Sequence, residues 1–433
     1  MMKRLLFAIL AIGITTSIWA EPISREQALR QAQQFLLQKG KSKVLVQAET
    51  SMSKARTKGG QIPDYYYVFN AGQNEGFVIV SGDDRAVTVL GYSDKGSFDV
   101  DRIPSNMAAW LAGYEAQIKA LQKNNVSGSR KGVSKAPYAS VAPIVQVHWD
   151  QNSPYNMNCW LDLPAHHINA PTGCVATAMA QAMSVYQYPS ATTAEIPAYQ
   201  WNFGADGIAS YDAIPANTPI DWANLDVANY NGSEADAKKE AIANLMSYCG
   251  RSVEMLYNGG GSSASVSDVP YALKTYFGYG TQAAYKKRDW SSSAEDWNAL
   301  IYNEVAAGRP VIYGGQTAGD QGHAFIVDGY DGGGDAFHIN WGWGQLPVSP
   351  DGYYKLSALD PDHVGTGGAN GAYNFDQEAV IGIDKVSTGE VEEVNATVVG
   401  AFFDAEYTNI SIAIENDITE MEYTRNSSGF ARL

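Results

Sequence analysis

The chain has 433 residues, 45% of them apolar, which suffices for about two or three domains with real cores and excludes wholesale disorder. Lys and Arg number 30 against 46 Asp and Glu, a formal charge of −16 that repels phosphate backbones and argues against nucleic acid as a partner. Only three cysteines occur, Cys159, Cys174 and Cys249, so a disulfide-stapled scaffold is excluded and at least one thiol stays free.

In chain order, residues 1–20 read as a secretory signal. Lys3 and Arg4 precede the apolar run Leu5 to Ile12, and a mixed stretch leads to Ala20. The run is too short to span a membrane, and no later apolar stretch of ~18 residues follows. An exported protein without a membrane span is expected. Residues 24–39 predict a helix with a Ser-x-x-Gln start and a stop at Gly40. Tyr65 to Phe69, Gly76 to Ser81 and Leu90 to Tyr92 read as strands between turn signals, and Asn106 to Gln122 as a second helix. The polar, basic, Gly/Ser-rich stretch from Lys123 to about 139 reads as a flexible linker open to proteolysis, which closes a first domain over 21–140.

The second domain is expected over 141–384. Helical signals at 174–187 and 234–249 come first, and strands rich in Gly, Trp and Tyr follow from Pro310, a pattern of the α+β class. Residues 385–433 carry β-type alternation, as if opening a small β domain that this chain does not complete.

Three segments carry chemistry. In Pro171-Thr-Gly-Cys174, Gly173 permits a sharp approach and the Ala-rich run after it favours a helix. Cys174 then sits on the first turn, where the helix dipole is expected to lower its thiol pKa. A buried, inert cysteine is the commoner use of such a residue. What shifts the balance is Gln321-Gly-His323, which puts a histidine at the opening of an apolar strand, where it is able to serve a thiol as base and later as acid. His338 falls inside the following strand and reads as structural; His166 and His167 lie in a loop before the cysteine. The third segment, Phe337-His-Ile-Asn-Trp-Gly-Trp-Gly344, is a plausible hairpin partner of the histidine strand. Asn340 or Trp341 is the candidate to orient or shield the imidazole; Asp328, five residues along from His323, falls on the opposite face. The N–H of Cys174 would serve as one oxyanion donor, and the amide of Gln151, or less readily Gln282, as the other. No G-x-S-x-G, H-E-x-x-H or nucleotide fingerprint is present.

These motifs, together with Gln151-Asn-Ser-Pro-Tyr-Asn156, Phe277-Gly-Tyr279, Gly76-Phe-Val-Ile-Val-Ser-Gly-Asp83 and Leu90-Gly-Tyr-Ser93, resemble the streptopain family of papain-clan cysteine proteases, interpain-like members above all. The resemblance runs from about Tyr65 to Asp384. It implies a papain-like, two-lobed α+β catalytic domain behind an inhibitory prodomain, and a secreted endopeptidase zymogen that is activated by losing residues 21 to about 140. Its partners would be protein or peptide substrates and its own prodomain. It implies Cys174 as nucleophile and His323 as base, Ser263 and Gly322 as contacts of the bound peptide, a preference for apolar side chains at the residue second from the cleaved bond, and no metal or organic cofactor. The family's propeptide carries an asparagine that disturbs the catalytic histidine; Asp101 stands near that place here. Two other readings use the same fold: a catalytically inactive binding or adhesion protein, and an acyl transferase that resolves the same thioester with an amine.

Overall fold

The structure is a computed structural model that describes residues 22–48, 64–99, 102–103, 105–123, 138–288, 294–316, 322–344, 351–357 and 377–385, with strand residues 398–403, 410–414 and 417–419. The expected signal segment, most of the expected linker and Asp101 lie outside the described residues.

Helix α1 (Arg25–Gln38) starts as its sequence predicts: Ser24 Oγ accepts the N–H of Gln27, and the Gln27 side chain accepts the N–H of Ser24 at 2.6 Å. Ala28, Ala32, Phe35 and Leu36 face inward. They meet Tyr67, Phe69, Val78, Val80 and Tyr92 from one face of the antiparallel strands β2 (Tyr66–Ala71), β3 (Phe77–Ser81) and β4 (Val89–Ser93). Strand β1 (Leu45–Gln47) adds an edge to β2. The alternate residues Val68, Phe77, Ile79 and Leu90 face the other way, onto Met107, Leu111, Tyr114 and Ile118 of α2 (Ser105–Lys123). A sheet covered on both sides explains strands that read as nearly continuous apolar runs.

The second part of the chain opens with a helical lobe. Its core helix α3 (Cys174–Ser184) lies against α4 (Asp236–Ser252) and α5 (Val269–Phe277), flanked by the hairpins β5 (Trp160–Leu163) with β6 (His166–Asn169) and β7 (Tyr199–Asn202) with β8 (Ile208–Tyr211). Helix α3 ends three residues earlier than the expected 187. Residues 185–187 are a turn, Gln187 takes φ 46°, and the ring of Pro189 bars any continuation. The two hairpins escape the sequence because their strands have four residues each and are largely exposed, which leaves little alternation to read.

The sheet lobe follows: β9 (Ala284–Lys287), α6 (Ala294–Ala306), β10 (Val311–Gln316), β11 (Gly322–Asp331), β12 (Ala336–Asn340), β13 (Gly352–Tyr354) and β14 (Glu378–Ile381). The expected hairpin across Asp331-Gly-Gly-Gly334 forms, with Tyr330 opposite Phe337 and Val327 opposite Ile339.

Both parts share one ten-stranded sheet, ordered β1-β2-β3-β4-β13-β12-β11-β10-β14-β9. At the seam Tyr92 pairs with Tyr353 and Gly91 with Tyr354. A side chain at 91 would stand 2.5 Å from the Tyr354 ring, so glycine is what lets the two strands close. Polar clamps reinforce the seam. Asp331 receives the Lys39 ammonium at 2.5 Å and the Tyr92 hydroxyl at 2.8 Å, and these partners hold its carboxyl below the usual range against the effect of burial. Trp110 of α2 reaches the sheet lobe, with its ring 5.6 Å from Phe325, 6.1 Å from Tyr313 and 6.2 Å from Trp341.

Residues 386–433 form a separate compact unit, in which β15 (Val398–Phe403), β16 (Ile410–Ile414) and β17 (Asp417–Thr419) make a three-stranded antiparallel sheet.

Truncating Trp110 removes the anchor of α2 on Phe325 and Trp341. Trp110→Ala is expected to cost roughly 3 kcal/mol of the N-terminal domain's attachment. The readout is a lower denaturant midpoint and faster release of residues 22–123 by trace protease in a Cys174→Ala background.

Candidate active site

Three connections build the site around α3. The first is its approach. Gly173 precedes the helix at φ 87° and ψ 142°, a conformation open to glycine and strained for other residues. A Cβ there would also meet Sδ and Cε of Met255 at 2.7 Å. The second is the interior of the helix: Ala176, Ala178, Ala180 and Ala182 are all buried. Of these, Ala178 and Ala182 follow Cys174 at i+4 and i+8 on its own face, where their small side chains let β11 come close, and the Ala324 N–H donates to Cys174 Sγ at 3.3 Å. Ala324 is the residue after His323, so the strand that holds the sulfur is the one that carries the histidine. The third is the segment before the helix. Thr172 N–H donates to the Gln151 carbonyl at 2.9 Å, and Ser262 Oγ donates to the Pro171 carbonyl at 2.6 Å. Gln151 and the glycine-rich loop 259–263 are thereby tied to the nucleophile's own turn.

Electrostatically the site is at rest. Burial pushes the Cys174 thiol up, opposed by the N–H groups of Ala324, Val175 and Cys174 itself, while the nearby Glu378 carboxylate raises it further. The expectation of a lowered thiol is thus reversed here, because desolvation outweighs the helix terminus. Burial also lowers the pKa of His323 and favours the neutral ring. No hydrogen bond joins that ring to Cys174, and none of its partners falls among the described residues.

The other candidates divide. Gln151 is buried beside the helix approach, and its side-chain amide is not engaged by any described residue, which leaves it available as a donor. Ser263 is exposed and pairs through its backbone with Leu256, while the buried Ser262 makes the structural contact that sequence reading missed. Gly322 opens β11 opposite Gln316. Trp341 is fully buried, its ring 4.8 Å from Phe325, two residues beyond the histidine. Asn340 does not orient His323 in this state. Its Nδ2 donates to the Val147 carbonyl at 2.8 Å, and its Oδ1 accepts the Gly342 N–H at 3.1 Å, so both ends are spent on the backbone. Asp328 is spent too: it sits at a β-bulge, takes the Val145 N–H at 2.8 Å, and contacts His338 Nδ1 at 2.6 Å. The Asp328 partner raises the His338 pKa against burial. Gln282 lies before β9, where its carbonyl closely abuts Gly382. Cys159 and Cys249 are buried; burial pushes the Cys159 thiol up to about 12 and that of Cys249 higher still.

A thiol on the first turn of a buried helix, facing a histidine-bearing strand across the joint between a helical and a sheet lobe, defines a papain-like thiol peptidase with an N-terminal domain docked on its sheet. Residues 149–354 match the Peptidase C10 family, and residues 20–118 match the Spi protease inhibitor family. Streptopain of Streptococcus pyogenes serotype M1 is 36% identical over 73% of this chain and 80% of its own length. The thiol protease/hemagglutinin PrtT of Porphyromonas gingivalis is 31% identical over 96% of this chain, which spans 48% of that relative. Among solved structures, a prointerpain A fragment of Prevotella intermedia, a cysteine-to-alanine mutant, superposes with a TM-score of 0.61 at 31% identity, covering 79% of this chain and 100% of that one. The chain belongs to the Peptidase C10 family of cysteine proteases, and it carries the inhibitory prodomain ahead of the catalytic domain.

With the thiol raised, thiolate is scarce at neutral pH in the prodomain-covered chain. In a His323→Ala chain, which lacks the base, alkylation of Cys174 by iodoacetamide should climb about tenfold per pH unit through pH 7–8 and level off only above the ordinary thiol range. A plateau already below pH 7 would contradict the resting assignment. Gly173→Ala, strained in φ and against Met255, should destabilise by about 1–3 kcal/mol, read as a lower melting temperature.

Proposed function

We propose that the protein is secreted as an inactive precursor and that, freed of its prodomain, it hydrolyses peptide bonds through an acyl-enzyme on Cys174. The observation that carries the reading is the Ala324 N–H bond to Cys174 Sγ, which holds the nucleophile one residue from His323. His323 takes the thiol proton as Sγ attacks the substrate carbonyl. The tetrahedral oxyanion is held by the Cys174 N–H and the Gln151 amide. Collapse breaks the C–N bond, and the imidazolium gives its proton to the leaving amine. A water then loses a proton to His323 and attacks the thioester; collapse breaks the C–S bond, the imidazolium returns its proton to Sγ, and the acid product leaves. Trp341 shields the imidazole from water, and Ser263 and Gly322 line the path of the peptide.

Export follows from the basic and apolar run at residues 3–12, which has the composition of a secretory signal. No helix among the described residues is long and apolar enough to cross a membrane. Activation requires a cut between the domains. Tyr138 stacks on Tyr302 at 4.2 Å, and Val141 exchanges backbone hydrogen bonds of 2.7 and 2.8 Å with Tyr330. That segment is held to the sheet lobe, so the cut should fall before Tyr138.

The test is processing of the purified chain under reducing conditions, beside Cys174→Ala, followed by intact mass. The wild type is expected to shed a fragment that ends between about Ser127 and Tyr138 and to gain activity on an unfolded protein, while the variant stays whole. A released catalytic domain that titrates at Cys174 yet cuts nothing would replace this reading with that of a binding protein on a peptidase fold.

A further inference from the structure

The helix that bears Cys174 carries a second polar side chain, turned inward, that the chemistry above does not use. Thr177 and Gln181 follow Cys174 at i+3 and i+7, on the opposite flank of its face from Ala178 and Ala182. Gln181 is fully buried, and its Oε1 accepts the Trp149 N–H at 3.2 Å. An N–H calls for an oxygen, so the Nε2 of the same amide is turned away from Trp149. It faces the turn after β12: a Cβ added at Gly342, where φ is 74°, would stand 3.6 Å from that nitrogen and 3.2 Å from Thr177 Cγ2. Nε2 has no hydrogen-bond partner among the described residues.

A buried amide with one end unpaired costs stability, and a methionine of about the same size would fill the space without that cost. What the amide supplies in return is its oxygen. Trp149 is itself fully buried and stands two residues before Gln151, so the oxygen holds the backbone that leads to the expected oxyanion donor. The Thr172 N–H holds the Gln151 carbonyl from the other side, and Thr172 leads into the same helix. Between the two anchors, Asp150 Oδ1 closes the turn by accepting the N–H groups of Gln151 at 2.5 Å and of Asn152 at 3.0 Å. The short segment 149–151 is thus fastened at both ends to the element that bears Cys174.

We infer that Gln181 is a positioning residue for the peptidase reaction: through Trp149 it sets the Gln151 amide against the Cys174 N–H, so that the two donors converge on one oxyanion. Gln181 acts through the 149–151 segment, with no part in proton transfer or in bonding to the peptide. Its effect falls on the step at which negative charge builds on the carbonyl oxygen, where a small displacement of a donor is expensive. Peptide affinity and the reactivity of the thiol toward a small alkylator do not depend on it.

The inference rests on the peptidase reading and on Gln151 as the second donor, and the experiment tells their failures apart. Processed enzyme is counted by iodoacetamide titration of Cys174; in variants that do not process themselves, trypsin cuts the basic linker between Lys123 and Lys135 and is then quenched. A peptide-amide reporter gives kcat and KM. A peptide aldehyde, whose adduct with Sγ puts an oxygen where the oxyanion would form, gives a Kd. Gln181→Met should lower kcat about tenfold and weaken the aldehyde by a similar factor, with KM and the iodoacetamide rate within about twofold of wild type. Gln181→Glu, which returns an acceptor oxygen to Trp149, should recover most of that loss. In Gln151→Ala the donor is already gone, so adding Gln181→Met should cost no more than about twofold further. A full multiplicative loss in the double variant, or wild-type kcat in Gln181→Met, overturns the assignment. Should Gln181→Met not fold, Gln181→Asn withdraws the same oxygen by one methylene and is expected to show the same loss; wild-type kcat there overturns the assignment equally. If Gln151→Ala keeps wild-type kcat, the oxyanion role of Gln151 fails and the inference with it. An enzyme that titrates fully yet cleaves no reporter and forms no aldehyde adduct overturns the peptidase reading itself.

Discussion

The close contact of α3 with β11 is the constraint from which the rest of the site follows. A helix whose inner positions are alanine has almost no side-chain thickness on that face, so a strand backbone can approach to where a peptide N–H reaches a sulfur. That approach ties Cys174 to the strand that carries His323 and sets the row of residues that runs outward to Glu378. A larger side chain at Ala178 or Ala182 would push the two lobes apart. The cost would fall on geometry before it fell on stability, since small displacements of reacting groups are expensive in rate.

The N-terminal domain uses the same sheet. By adding four strands at the β4–β13 seam it satisfies an edge that would otherwise expose a row of unpaired N–H and C=O groups. It covers the outer face of β11 and β12 through Trp110, directly over Phe325 and Trp341. Covering that face buries Phe325 and Trp341, so the inhibitory domain and the sheet lobe share one packed layer. The ion pair Lys39–Asp331 is partly buried, and its carboxylate also accepts from the Tyr92 hydroxyl and the Gly333 N–H, the condition under which such a pair contributes to attachment.

Two pairings show how a site assigns its polar groups. Asp328 and His338 satisfy one another inside the sheet lobe, while Asn340 closes the turn at Gly342 and holds Val147 of the crossing segment. Each of these has the chemistry of a catalytic partner and spends it on structure. His323 and the Gln151 amide, by contrast, are left without such partners among the described residues. Groups held in place by backbone yet unspent in side-chain bonding are what a reaction needs at the moment charge develops.

Much was legible in the sequence because the signals are local. The capping box at Ser24, the glycine before Cys174, the alanine run, and the Gly-rich turn between β11 and β12 act within a few residues, so their composition alone determined α1, the helix bearing the cysteine and the hairpin bearing the histidine. The type of chemistry followed from a free thiol and a strand-end histidine. What only the tertiary structure decided depends on contacts between distant segments. The fusion of two sheets at Gly91 and Tyr354, the spending of Asn340 on Val147, the tie of Ser262 to Pro171, and the hold of Gln181 on Trp149 join residues that sequence spacing does not connect. The sign of the Cys174 shift belongs with them. A helix start predicts a lowered thiol, but desolvation by the surrounding lobes is a property of the packed whole, and there it is the larger effect.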